Sequence, residues 1–311
     1  MKAFVFDPIW NKLITKGLQD KLDDAGIEVV LTGKIAPITD KKDLFEGDDE
    51  RILCVNPDYV GWDLKSEMYK GIPNLKAILP ASTGFEWIQG DIAREKNIPV
   101  CHIKNFSTEA VAEWAVLMMQ NLARQTPRLI KDGFPLDFDK DFMKYLGVEL
   151  KGKTAAIIGA GHIGTAIANR CKGLGMDVVY WSRSSKLDGI KVDLEDLLMN
   201  ADVIFPTLAK NEDTTKLITD EMLESMKQSA IIVDIAHGFI NQKLAMKMIS
   251  EGRLFGYGLE AEPESFGKYE GNVWAAPAYA WVTDGSMQNV MEKWIENMIF
   301  ASKGEYPNRV N

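Results

Sequence analysis

Three observations predict an α/β fold built on parallel strands. In Lys153–Ser185, a short apolar and β-branched run (Thr154–Ile158) leads through G-x-G-x-x-G into helical spacing over Thr165–Leu174, and then into a second strand, Val178–Trp181. Along the rest of the chain such runs alternate with helical patterns, which points to a parallel sheet covered on both faces. The length, 311 residues at 46% hydrophobic and 26% charged, suffices for two domains with ample cores.

The glycines of the motif have separate tasks. Gly159 serves the tight turn, Gly161 lets backbone approach a pyrophosphate, and Gly164 allows close helix–strand packing. Free N–H groups at the helix start then face the phosphates, where the helix dipole favours negative charge. The strand–loop–helix setting within about 30 residues distinguishes this from an ordinary glycine-rich turn. His162, Ile163 and Ala236 are assigned to the same cofactor site. A carboxylate for the ribose 2′-hydroxyl of NAD is expected roughly 20 residues on. That place holds Ser182, Arg183, Ser184 and Ser185, with no acid until Asp188. Guanidinium and hydroxyl groups suit a 2′-phosphate instead, so the pattern predicts NADP(H) over NAD(H); the bland alternative is a solvated arginine on a turn.

Taken in order, Lys2–Phe6 predicts a strand, Asn11–Ala25 a helix stopped by Gly26, and Ile27–Leu31 a second strand. Arg51–Val55 and Leu75–Leu79 predict strands joined through a helix near Trp62–Lys70. The acidic stretch Asp40–Glu50 lacks a metal-ligand spacing and reads as a solvated face. Ser107–Arg124 is apolar nearly all round, which places it in a core or a subunit interface, and Arg128–Leu150 is a mixed connection. Helices follow over Asp193–Met199, Asp220–Met226 and Gln242–Ser250, and strands over Asp202–Phe205, Ala230–Ile235, Leu254–Leu259 and Val273–Ala276. Thr283 or Asp284 caps a closing helix whose apolar stripe includes Met287, Met291, Trp294, Ile295 and Met298, with the methionines filling a core.

The net charge of −9 argues against a general nucleic-acid or anionic-membrane binder. Cys54, Cys101 and Cys171 lie far apart, without C-x-x-C, which suits a reducing cytosol and offers no zinc site. The start MKAFVFDPIW has no cationic region followed by a long apolar one, and no apolar run reaches the length of a membrane span. A cytoplasmic protein without a resident metal is the expectation.

The segments LPASTGFEWI (Leu79–Ile88), STEAVAEWAVLMMQNLAR (Ser107–Arg124), LKGKTAAIIGAGHIG (Leu150–Gly164), MKQSAIIVDIAHG (Met226–Gly238), Glu262-Pro263 and Pro277–Thr283 occur in an order that resembles the D-2-hydroxyacid dehydrogenase family, over about residues 50–311. The resemblance implies two doubly wound parallel-sheet domains with an active-site cleft between them. A flavodoxin-like substrate domain would span 1–101 and 285–311, and a Rossmann dinucleotide-binding domain 102–284. It also implies a homodimer through the dinucleotide-binding domain. Such a family transfers a hydride from nicotinamide to a carbonyl carbon, and the growing alkoxide needs a cation or donor plus a proton. Its members use an arginine in an A-R-G turn, a histidine after a proline near the last strand, a glutamate before a proline, and backbone N–H groups of an early glycine loop.

Two of the three side chains depart from that set. His237 stands at the arginine position in Ala236-His237-Gly238, and Ala278 stands at the histidine position after Pro277. The glutamate is nominally Glu262, with Glu260 hard to distinguish from it. A neutral imidazole cannot replace a bidentate guanidinium clamp. His237 is therefore the first candidate for acid/base or carbonyl donor, supported by Glu260 or Glu262, against the bland reading of a substituted turn residue. Tyr279 is the second candidate donor. Ser82, Thr83 and Gly84 are expected to bind substrate, and Trp281 to line the pocket; for Tyr279 and Trp281 a packing role is the equal alternative. Two functions follow: an NADPH-dependent reductase of a 2-oxo acid or related ketone or imine, or an NADP(H)-binding regulatory protein without turnover. His102 receives no role.

Overall fold

The computed structural model describes residues 1–311 apart from 33–36, 136, 138–139, 141, 210, 212, 237 and 261–268. The chain divides into two compact units, 1–107 with 283–311, and 108–282.

The first unit holds a four-stranded parallel sheet of β1 (Lys2–Phe6), β2 (Glu28–Leu31), β3 (Arg51–Val55) and β4 (Leu75–Pro80), in the order β2-β1-β3-β4. Alternation along β1 sends Ala3 and Val5 to one face and Phe4 and Phe6 to the other. The first face is covered by Leu18 and Leu22 of the Lys16–Asp24 helix and by Trp294, Ile295 and Met298 of the Asp284–Ser302 helix. Trp294 is fully buried, stacks edge-on against Trp10 at 5.8 Å, and donates its indole N–H to the Leu79 carbonyl (2.8 Å). This is how the end of the chain joins the first sheet. Thr283 caps that helix, accepting from the Ser286 N–H at 3.2 Å.

The second unit carries seven parallel strands: β5 (Thr154–Ile158), β6 (Asp177–Trp181), β7 (Ile190–Lys191), β8 (Val203–Pro206), β9 (Ile231–Asp234), β10 (Gly256–Glu260) and β11 (Val273–Ala276), ordered β11-β10-β9-β8-β5-β6-β7. The order runs outward from β5 in both directions, so the chain reverses there, at the kind of switch point where open α/β sheets bind ligands beyond the carboxyl ends of their strands. Ala155 and Ile157 face the Thr108–Ala123 and His162–Gly173 helices, while Ala156 and Ile158 face the opposite layer. Burial on both faces explains the near-continuous apolar strands.

Several local expectations are corrected. The Asn11–Ala25 pattern forms two helices, Trp10–Leu13 and Lys16–Asp24, because Thr15 leaves helical geometry (φ −96°, ψ 159°) and its hydroxyl accepts from the Leu18 N–H. Trp62–Lys70 forms no α-helix. Its neighbourhood holds the 3₁₀ turns Pro57–Val60 and Ser66–Met68, and the backbone of Leu64 is committed to Trp87 and Gln89 instead. The helix after the glycine loop begins at His162, one turn before the spacing suggests, with Gly161 at its N-cap. The 128–150 connection opens with a short helix, Thr126–Lys131.

Candidate functional site

The glycine loop lies at the carboxyl end of β5. Gly159 has φ +110°, and a Cβ there would stand 2.8 Å from the Thr207 carbonyl oxygen, so the turn accepts only glycine. A Cβ on Gly164 would overlap the Gly159 carbonyl oxygen and approach Thr207 Oγ1 (2.7 Å) and Ile157 Cγ2 (2.9 Å). Gly161 is different, since nothing lies within 4 Å of its absent side chain. Two glycines thus hold the helix against the sheet and the third keeps the loop open. The Gly159 N–H donates to the Trp181 carbonyl (2.9 Å), and Thr207 Oγ1 donates to the Gly159 carbonyl (2.7 Å). A groove of about 580 Å³ opens over this loop, lined among others by Gly161, His162, Thr165, Asn169 and Ser185.

At the end of β6, the Ser182–Ser185 turn is closed by the Ser185 N–H donating to Ser182 Oγ (3.2 Å). A second groove of about 490 Å³ is lined by Trp181, Ser182, Arg183, Lys191, Val192 and Asp193. Ser182 is buried, whereas Arg183 is largely exposed and donates to the Asp213 carboxylate at 3.2 Å. Lys191, on β7, escapes a linear reading, because nothing local marks a lysine on a two-residue edge strand.

At the carboxyl ends of β9 and β10 stand two buried carboxylates, Asp234 and Glu260. Glu260 Oε1 accepts from the Ala280 N–H (2.8 Å), which ties the turn after β11 to β10 and brings Tyr279 and Trp281 near that edge. Tyr279 is 57% exposed. Burial and the adjacent Asp234 push the Tyr257 phenol far above its ordinary range. Ala236 lies two residues past the end of β9. His237 and Glu262 lie outside the described residues. Among the described residues, no group of three or more His, Cys, Asp or Glu side chains could hold a metal ion.

The Ser82–Gly84 turn belongs to the other unit. Ser82 Oγ donates to the Gly84 carbonyl (2.6 Å), and Trp87 Nε1 donates to the same carbonyl (2.9 Å). The Thr83 carbonyl accepts from His102 Nδ1 at 2.6 Å, and Phe85 meets the imidazole edge-on at 5.5 Å. His102 therefore braces the expected substrate loop. The 19 residues separating it from Thr83 hide this from a linear reading.

Residues 116–279 match the family model described as D-isomer specific 2-hydroxyacid dehydrogenase, NAD binding domain. The glyoxylate reductase of Thermococcus kodakarensis is 31% identical over 264 residues, covering 78% of each chain. That of Thermofilum pendens is 30% identical over 280 residues, covering 84% of this chain and 80% of its own. Among solved structures, the TT0316 protein from Thermus thermophilus superimposes with a TM-score of 0.77 at 26% identity over the whole of both chains. An acyclic imino acid reductase in complex with NADPH and D-Arg gives 0.78 at 21% identity over the same extent, a likeness of fold alone.

Proposed function

Because the chain belongs to the D-isomer specific 2-hydroxyacid dehydrogenase family, we propose that it is an NADPH-dependent reductase of a 2-oxo acid or a related ketone or imine, working with an altered catalytic set. The observation that carries the cofactor is the glycine loop, whose two packed glycines and one open glycine leave backbone N–H groups free for a pyrophosphate. Ser182, Arg183 and Ser184 favour the 2′-phosphate, since the turn after β6 presents a guanidinium and hydroxyls and no carboxylate of its own. When bound, the dinucleotide supplies the hydride. Ala236 is assigned to the nicotinamide end, at the carboxyl edge of β9. His237 is assigned the proton transfer to the nascent alkoxide or amine, with Glu260 or Glu262 supporting it and Tyr279 the alternative donor. The Ser82–Gly84 backbone, braced by His102, is assigned the substrate carboxylate, and Trp281 the pocket wall.

A homodimer through the dinucleotide-binding unit is supported by apolar side chains that this unit leaves exposed on and after its first long helix: Leu117, Ile130, Phe134, Phe142, Met143 and Leu146. Among the described residues no helix is long and apolar enough to cross a membrane, and a cytoplasmic location fits the cysteine pattern.

NADPH oxidation measured over a panel of oxo acids, ketones and imines tests the activity, with His237→Ala beside the wild type. Equal rates in the two proteins would remove His237 from the mechanism. No turnover on any substrate, with tight NADPH binding retained, would favour a regulatory NADP(H)-binding protein, the reading suggested by Ala278 in place of the family histidine.

A further inference from the structure

Arg183, which lines the groove after β6, makes an ion pair that the NADP(H) reading leaves unexplained. Arg183, the residue that would take the 2′-phosphate, already holds an anion, the Asp213 carboxylate at 3.2 Å. Asn211 Oδ1 accepts from the Asp213 and Thr214 N–H groups (both 3.1 Å), and buried Thr214 donates its hydroxyl to the Ala209 carbonyl (2.8 Å). These bonds engage the Asp213 backbone, while 79% of its side chain is exposed. Lys191 has no ion-pair partner among the described residues and lines the same space as Ser182, Arg183 and the Asp193 carboxylate. Ser182 Oγ accepts from the Ser185 N–H and so keeps its own proton free to donate.

We propose that Asp213 is a built-in occupant of the 2′-phosphate position, held by Arg183 until a 2′-phosphorylated nucleotide displaces it, and that Lys191 is the second cation for that phosphate. The proposal rests on the NADP(H) reading above. A dianionic phosphate offers three acceptors to the Arg183 fork and the Lys191 ammonium, where a single carboxylate engages one guanidinium nitrogen. The exchange thus favours the phosphorylated nucleotide, while NADH meets an arginine that is already satisfied. Selectivity then arises in two parts: attraction by Arg183 and Lys191, and competition from Asp213 that every 2′-phosphate must overcome. Exposed ion pairs are weak, so the competition amounts to about two- to fivefold in affinity.

The test is titration of the full chain with NADPH, NADH, adenosine 2′,5′-bisphosphate and ADP at low and high salt. Asp213→Asn is expected to tighten NADPH and the bisphosphate by about two- to fivefold and leave NADH and ADP within about twofold. Asp213→Glu, which keeps the charge, should stay near the wild type. Lys191→Met should weaken NADPH and the bisphosphate by about tenfold, flatten their salt dependence, and spare NADH. Arg183→Ala separates the two layers of the argument. An unchanged NADPH-to-NADH ratio in Arg183→Ala would overturn the NADP(H) reading itself. Loss of that ratio in Arg183→Ala, with Asp213→Asn and Lys191→Met both at the wild-type ratio, would overturn only the present inference. Thermal melts of each variant confirm that affinity is compared between folded proteins.

Discussion

The two unlike glycines of the loop allow packing and binding to be measured apart. In Gly164→Ala the new methyl group meets the Gly159 carbonyl oxygen, Thr207 Oγ1 at 2.7 Å and Ile157 Cγ2 at 2.9 Å. Two of these contacts are with groups that cannot rotate away, one being backbone and the other on a strand buried on both faces. Overpacking of this kind costs about 1–3 kcal/mol, and displacing the Gly159 carbonyl loses its bond from Thr207, about 1 kcal/mol more. Alanine returns about 1 kcal/mol of helix propensity, leaving a net loss of about 1–3 kcal/mol. For a unit of this size that lowers Tm by about 3–10 °C. In Gly161→Ala the backbone (φ −84°, ψ −169°) suits any residue, and nothing lies within 4 Å of the methyl group. Its cost is that of a poor N-cap, under about 1 kcal/mol. The methyl group nevertheless stands where the pyrophosphate must approach, so NADPH affinity should fall by about tenfold or more. Thermal melts and NADPH fluorescence titrations on both variants give the four numbers needed. A Gly161→Ala protein that binds NADPH like the wild type, or a Gly164→Ala protein that melts like it, would refute the division of roles.

Three further outcomes follow from buried groups. Glu260→Ala leaves the Ala280 N–H without its 2.8 Å acceptor and should cost about 1–3 kcal/mol in urea unfolding, whereas Glu260→Gln keeps an amide oxygen there and should cost less; equal losses would point to the charge instead. Burial raises the Asp7 carboxyl above its ordinary 3.8, so the folded state holds that proton more tightly than the unfolded chain. This group therefore costs nothing at low pH and destabilises increasingly as pH rises from about 3.8 through the raised folded value. Asp7→Asn, which still offers an oxygen to the Ile9 N–H, should gain on the wild type at neutral pH and lose that advantage on acidification; an advantage that grows in acid contradicts the assignment. All three cysteines are buried, and burial pushes Cys101 to about 11, Cys171 to about 12, and Cys54 well upward. Native protein at about pH 8 should show no thiol reactive toward Ellman's reagent and three after unfolding, so one fast native thiol counts against the burial described.

The linear sequence was sufficient for whatever depends on neighbours in the chain. The β5–loop–helix unit, the strands other than β7, the Thr283 cap and the apolar Thr108–Ala123 helix follow from spacing and local conformational preference, and the family order of motifs supports them. Where helical spacing misled, a non-local or capping bond prevailed, as when Leu64 pairs with the distant Ile88 segment and Thr15 commits its hydroxyl to a cap. The tertiary structure alone decided which groups meet across long separations. Thr207 locks the glycine loop from 48 residues away, His102 braces Thr83, and Asp213 reaches Arg183 from 30 residues on. These partners carry no periodic signal. A single hydrogen bond or ion pair joins two points that the parallel sheets bring together, and it leaves no pattern in either stretch of sequence. A G-x-G-x-x-G motif thus predicts that a dinucleotide can bind, and Arg183 is visible beside it in the sequence, while the neighbours of Arg183, Asp213 and Lys191, become visible only once the strands are placed side by side.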